Sequence, residues 1–207
     1  MSHVPVGRLS LHHLVEQLRV GDLIFIRVPI WPFKEVAKTT MSWVNHVGIV
    51  VEADGPDPLV AESAVPLSRM TRLSRFVKRS EARRVAVSRL PEPLTAHQQQ
   101  TLHEAARKRL GIRYDIGFNL HSSKQFCSKY VREVMAEATG RHLGEVETFR
   151  TMLERNPRVR VGFWRLWFLG RIPWQRETVT PASVFRSVDL LLIVDALVDE
   201  FAAVGSA

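Results

Sequence analysis

Apolar and polar positions along the chain follow two rhythms, and these predict its elements. In residues 8 to 19, RLSLHHLVEQLR, the residues Leu11, Leu14, Val15 and Leu18 fall at helical spacing, with Ser10 placed as an N-cap. Gly21 and Asp22 predict a turn. LIFIRV follows as a short apolar run bounded by Pro29 and Pro32, which reads as a buried strand. Residues 33 to 43 are predicted as a helix leading into a second strand, NHVGIVVEA. The turn DGPDP then separates it from a third strand, LVAESAV, so these two strands read as a hairpin. RRVAVSRL is the fourth predicted strand.

Pro91 and Pro93 mark a break. Thr95 caps a predicted helix, AHQQQTLHEAARKRL, which ends at Gly111, and IRYDIGFNLHSS reads as irregular. A second helix covers KQFCSKYVREVMAEAT, with Ser122 or Ser123 as its cap and Gly140 as its stop. Residues 156 to 180, rich in arginine and tryptophan and broken by proline, carry no clear period. Thr180-Pro181 opens a short helix, VDLLLIVDALV is a final strand, and the tail AAVGSA is expected to be loose. Strands joined by short turns favour an antiparallel sheet, so the predicted fold class is α+β. A chain of 207 residues fits one domain, here spanning 1–207 with a variable insertion at about 140–178.

Composition narrows the function classes. Hydrophobic residues make up 45% and charged residues 24%, as in ordinary globular proteins. The net charge of +8 favours anionic surfaces, but no nucleic-acid-binding module accompanies it, so no nucleic-acid partner is expected. The densest basic run, Arg69 to Arg84, reads as a solvated face. The N-terminal stretch does not have the form of a signal peptide, and no apolar run reaches membrane-spanning length. A bacterial, cytoplasmic location is the expectation. A single cysteine excludes an internal disulfide and a cysteine-rich zinc site.

That cysteine, Cys127, admits two readings. It shares an apolar helical stripe with Tyr130, Val131, Val134 and Ala138, which is how a core thiol looks. It also lies near the start of a helix, beside Lys124 and Lys129, where positive charge favours the thiolate. A working thiolate needs a histidine and a group that orients it. Of eight histidines, His46 stands out because it opens the strand HVGIVVE, two residues before Gly48, where glycine permits a close approach. His121, in the loop before the cysteine helix, remains open. Glu62 lies among apolar residues on the next strand. There it either reaches His46 or faces water from a sheet edge.

The segments GDLIFIR, NHVGIVVE, LVAESAV, GIRYDIGF and FCSKYVREV, in this order, resemble the YiiX/YebB-type family of circularly permuted, papain-like relatives of the NlpC-type peptidases. VTPASVFRSVDLLLIV resembles the family's closing Thr-Pro turn and strand. The likeness spans roughly residues 18 to 195 and is weak from 140 to 178. It implies a permuted papain-like fold in which the histidine strand precedes the cysteine helix. It also implies Cys127 as nucleophile, His46 as base, Glu62 as the orienting group, and Tyr114 as support for substrate or oxyanion, where a core aromatic is the alternative. No cofactor and no metal are implied.

Three functions follow from the resemblance. The first is a thiol hydrolase acting through an acyl-enzyme on an amide or ester. The second is a lipid-directed acyltransferase or phospholipase with the same dyad, and the third is a catalytically silent binding module. The partner is accordingly a peptide-like or lipid-like acyl substrate. The stretch VGFWRLWFLGRIPW, 161 to 174, mixes aromatic and basic residues as a peripheral membrane contact does. A hydrophobic cluster closing over the core is its favoured reading.

Overall fold

Leu23, Ile24, Phe25 and Ile26 have no exposed surface, which places their strand at the centre of a sheet covered on both faces. The structure is a computed structural model and describes residues 7–156 and 159–199, so the tail AAVGSA lies outside the described residues. In chain order the strands are β1 (Gly7–Ser10), β2 (Leu23–Ile26), β3 (His46–Glu52), β4 (Leu59–Ser63), β5 (Ser68–Arg72), β6 (Arg84–Arg89), β7 (Val146–Thr148), β8 (Glu177–Val179) and β9 (Leu191–Asp199). The helices are α1 (Leu11–Gln17), α2 (Trp31–Thr39), α3 (Leu73–Lys78), α4 (Ala96–Lys108), α5 (Cys127–Thr139), α6 (Phe149–Glu154), α7 (Val161–Trp167) and α8 (Pro181–Phe185). Seven strands form the main sheet in the order β1-β9-β6-β2-β3-β4-β5, and β7 pairs with β8 separately. Every pair in the main sheet is antiparallel except β1 with β9, which is parallel.

Period-two alternation divides the sheet between two cores. Val47, Ile49 and Val51 of β3 join Leu102 and Ala106 of α4 and Tyr130, Val131 and Val134 of α5. Val50 and Val60 face the other way, with Leu14 of α1 and Leu73, Phe76 and Val77 of α3. Full burial of each large aliphatic side chain contributes about 1.5–3 kcal/mol. Gly48 belongs to this second face. A Cβ there would stand 2.6 Å from Val60 Cγ1 and 2.9 Å from Phe76 Cε2, so the glycine admits protein side chains rather than a ligand. A third cluster joins Val36 of α2 to Phe149, Met152, Phe163, Trp164 and Ile172.

Four expectations change. The basic run at 69–84 contains β5 and α3, whose Leu73, Phe76 and Val77 are buried, because apolar residues at helical spacing hide among the arginines. Residues 8–10 pair with β9 as a strand, so the first helix starts at Leu11 with Ser10 accepting the His13 N–H. The region 156–180 holds α7 and β8. The cysteine helix begins at Cys127 with Phe126 as N-cap, three residues later than predicted. Gln125 is kept out of it because its N–H bonds to the Arg113 carbonyl and its carbonyl accepts the Asp115 N–H. The helix ends at Gly140, whose φ of 74° is the left-handed conformation that favours glycine.

Candidate active site

The site forms where the first residue of α5 meets the first residue of β3. Cys127 and His46 are 3% and 5% exposed, and they lie close enough for each to shift the other's titration. His46 Nε2 donates to Glu62 Oε2 at 2.6 Å, which leaves Nδ1 for the thiol. Glu62 has no exposed surface. Its strand β4 lies between β3 and β5, so the sheet-edge alternative is set aside.

Four groups donate to that one carboxylate. Besides His46, Oε2 receives Arg79 at 2.7 Å, while Oε1 receives Thr71 Oγ1 at 2.6 Å and Arg69 Nε at 3.2 Å. The register explains the arrangement. Glu62 pairs directly with Arg69, and Thr71 lies two residues further along the same face of β5. Arg79 follows α3 and also covers the ring of Phe76, 5.0 Å away. A buried carboxylate needs such partners to stay ionised.

Burial raises the cost of charge at all three groups, and their mutual bonds outweigh it. Burial pushes the Cys127 thiol up, but His46 and the backbone N–H groups of Val47 and Ser128 bring it below its ordinary 9.0. Burial pulls His46 down, and its bonds to Cys127 and Glu62 hold it instead at about 8, above the ordinary 6.5. Glu62 is pushed up by burial, but bonding and charge from His46 and Arg79 hold it far below the ordinary carboxylate range. The lysines expected to help do not. Lys129 Nζ binds the carbonyls of Ser122 and Lys124, and Lys124 is exposed. His121 is also removed as a base, since it is exposed and bonded to Glu177 at 2.7 Å.

Tyr114 is buried and borders the same small void as Cys127. Burial and the nearby thiolate push its pKa well above the ordinary 10.0. Tyr114 lines two voids. A small void of about 20 Å³ lies against Cys127, Phe126, Phe149 and Trp164. A cavity of about 250 Å³, lined by Ile30, Pro32, Val65, Ile116 and Trp167, opens beyond it, and Phe33, Val36, Tyr114 and Phe118 border both. Phe118 adopts a φ of 51°, in the left-handed region that a bulky residue occupies only where its surroundings enforce it. A larger cavity of about 330 Å³ lies beyond Met152 and Thr180 and does not reach the thiol.

Thr71, Arg69, Arg79, Phe33 and Phe118 were not among the residues expected at the site. A strand reading of SRMTR would have exposed the first two, because alternation puts Arg69 and Thr71 on one face. Nothing local marks Phe33 or Phe118.

A histidine strand that precedes the cysteine helix, both on one antiparallel sheet, defines a permuted papain-like cysteine hydrolase. The model of the permuted papain-like amidase family, YaeF/YiiX, C92, matches residues 17–194. The chain belongs to that family. It is similar to the uncharacterized protein YiiX of Escherichia coli strain K12, at 27% identity over 177 residues and 86% of each chain. It is also similar to the crystal structure of metalloprotein yiiX from Escherichia coli O157:H7. There the identity is 28% and the TM-score 0.79, covering 86% of this chain and 98% of that one. Among the described residues, no group of three or more His, Cys, Asp or Glu side chains converges to hold a metal ion. The residues present therefore do not fit the metal in that protein's name, and no step is derived through one. Among the described residues, no helix is long and apolar enough to cross a membrane.

Proposed function

We propose that the chain hydrolyses an amide or ester through an acyl-enzyme on Cys127, with His46 as acid and base and Glu62 as the group that orients His46. The observation that carries the reading is a buried His46 beside Cys127, bonded to a Glu62 carboxylate that three further donors fix. Cys127 Sγ, as thiolate, attacks the carbonyl carbon and its π electrons move to oxygen. The Cys127 N–H and the Tyr114 hydroxyl donate to that oxyanion. The imidazolium passes its proton to the leaving nitrogen or oxygen, the C–N or C–O bond breaks, and a thioester remains. Water then attacks, His46 takes its proton and returns it to sulfur, and the acid leaves.

The 250 Å³ cavity favours a second reading of the substrate. Its lining is made of aliphatic and aromatic side chains, and it reaches Tyr114. An apolar acyl group fits such a lining, which supports a lipid-like over a polar peptide substrate.

The test is intact-protein mass spectrometry after exposure to p-nitrophenyl acetate. The proposal expects one acetyl adduct, on Cys127, absent from Cys127→Ala and released with time. Adducts on lysines alone, with Cys127 unmodified, would contradict it and favour the silent binding module.

A further inference from the structure

The outer rim of the apolar cavity is itself apolar and exposed. Ile30, Val65 and Ile116 line the cavity and are each more than half exposed. Trp31 stands beside them, its ring 5.0 Å from Phe163. Trp167 closes the same rim by donating its indole N–H to the Ile116 carbonyl at 2.9 Å. From this helix and the turn after it, Leu166 and Leu169 project with 70% and 92% exposure. Large apolar side chains gathered at one place on a surface mark an interaction site.

The charge beside them has one sign. Between Arg155 and Arg176 the chain has six arginines and no aspartate or glutamate. Arg155 is paired with Glu147, and Arg176 donates to the Gly117 carbonyl. Arg160, Arg165 and Arg171 are exposed and have no carboxylate partner among the described residues. The aromatic residues divide. Phe163 and Trp164 are buried and close the third cluster over the thiol, as the hydrophobic-cluster reading expected. The outward face is carried by leucine, isoleucine and arginine.

We propose that this surface, formed by Ile30, Trp31, Ile116, Leu166, Leu169 and the three unpaired arginines, docks on an anionic lipid bilayer, with the mouth of the apolar cavity against the lipid. Exposed leucine and tryptophan enter the headgroup boundary while arginine meets lipid phosphate. A second copy of the chain fits poorly. A two-fold contact would set arginine against arginine in a molecule already at +8. The inference rests on the proposed function only for why docking should occur beside Cys127. Binding itself needs no turnover.

The experiment is co-sedimentation with vesicles of equal parts phosphatidylcholine and phosphatidylglycerol, using the full chain and its Cys127→Ala form. Both are expected to pellet with the vesicles, and weakly with phosphatidylcholine alone. Leu166→Ser/Leu169→Ser and Arg165→Gln/Arg171→Gln change only exposed side chains, so an unchanged circular dichroism spectrum and melting curve are expected. The arginine variant should lose binding by roughly twenty-five-fold, at about fivefold per charge. Absence of pelleting with the mixed vesicles would overturn the proposal. So would binding unchanged in both variants, or self-association through this face in place of vesicle binding. Pelleting without an acetyl adduct would leave docking intact and remove the acyl-enzyme, so the two failures are distinguishable.

Discussion

The two sides of Cys127 are built from opposite materials. On one side, β3, β4 and β5 hold His46, Glu62, Thr71 and Arg69 by sheet register, and Arg79, after α3, adds a charge-assisted bond. On the other, α2, α6 and α7 cover the thiol with Val36, Phe149, Met152 and Trp164, which are held by ring packing and shape. Ring contacts such as Phe149 to Trp164, with centroids 5.4 Å apart, fix no single donor or acceptor. Under the proposed function, the sheet would set the reactivity of Cys127, while the aromatic cover would set access and substrate choice. Changes to one side should therefore leave the other's signature intact.

The largest expected effect is Glu62→Gln. It leaves two guanidinium groups without their carboxylate and removes the negative charge that stabilises the imidazolium and fixes the His46 tautomer. Hydrolysis should fall by roughly 10³–10⁴-fold, and urea titration should show a loss of about 3–5 kcal/mol. Trp164→Ala comes next. It empties a buried site and should cost about 3–5 kcal/mol of stability. The pH dependence of Cys127 alkylation should nevertheless stay where it is in the wild type. A shifted profile in this variant would break the division between the two sides.

Tyr114→Phe removes the hydroxyl proposed to donate to the oxyanion. The rate constant kcat should fall by about 10²–10³-fold with the melting temperature nearly unchanged. The smallest effect tests the sheet side alone. Arg79 competes with His46 for Glu62 Oε2 and adds positive charge beside the imidazolium. Arg79→Met should therefore move the alkaline limb of the activity profile upward from about 8 by roughly one pH unit.

Stability should follow pH in two windows. His46 is held above its ordinary 6.5, so its contribution is present below 6.5 and is lost as pH rises through about 8. Glu62 is held below its ordinary 4.5, so its contribution is present above 4.5 and is lost as pH falls towards the folded value. Urea midpoints measured across pH should therefore peak between these limits.

The two sides also differed in how well the sequence revealed them. His46 and Cys127 stood out as candidates from the sequence, but the set His46, Glu62, Cys127 and Tyr114 was legible only through the family resemblance, since local pattern alone fits a core thiol, an edge carboxylate and a core aromatic equally well. The structure brings all four together. The partners of Glu62 were hidden, since Arg69, Thr71 and Arg79 lie in a charged run whose strand and helix periods overlap within a dozen residues. The aromatic cover was hidden for another reason. Val36, Phe149 and Trp164 meet only through tertiary packing, and no spacing within residues 156 to 180 encodes a contact with α2. The helix start also moved, because Gln125 bonds to residues 113 and 115 instead of continuing the helix.

The central claim is that His46, locked to Glu62, keeps Cys127 as a reactive thiolate. The most direct measurement is the rate of Cys127 alkylation by iodoacetamide against pH, in the wild type and in His46→Ala. The account predicts a reactive plateau well below the ordinary thiol value of 9.0, which disappears in the variant. A slow rise through the ordinary thiol range, the same in both proteins, would contradict it and leave Cys127 as a buried structural thiol.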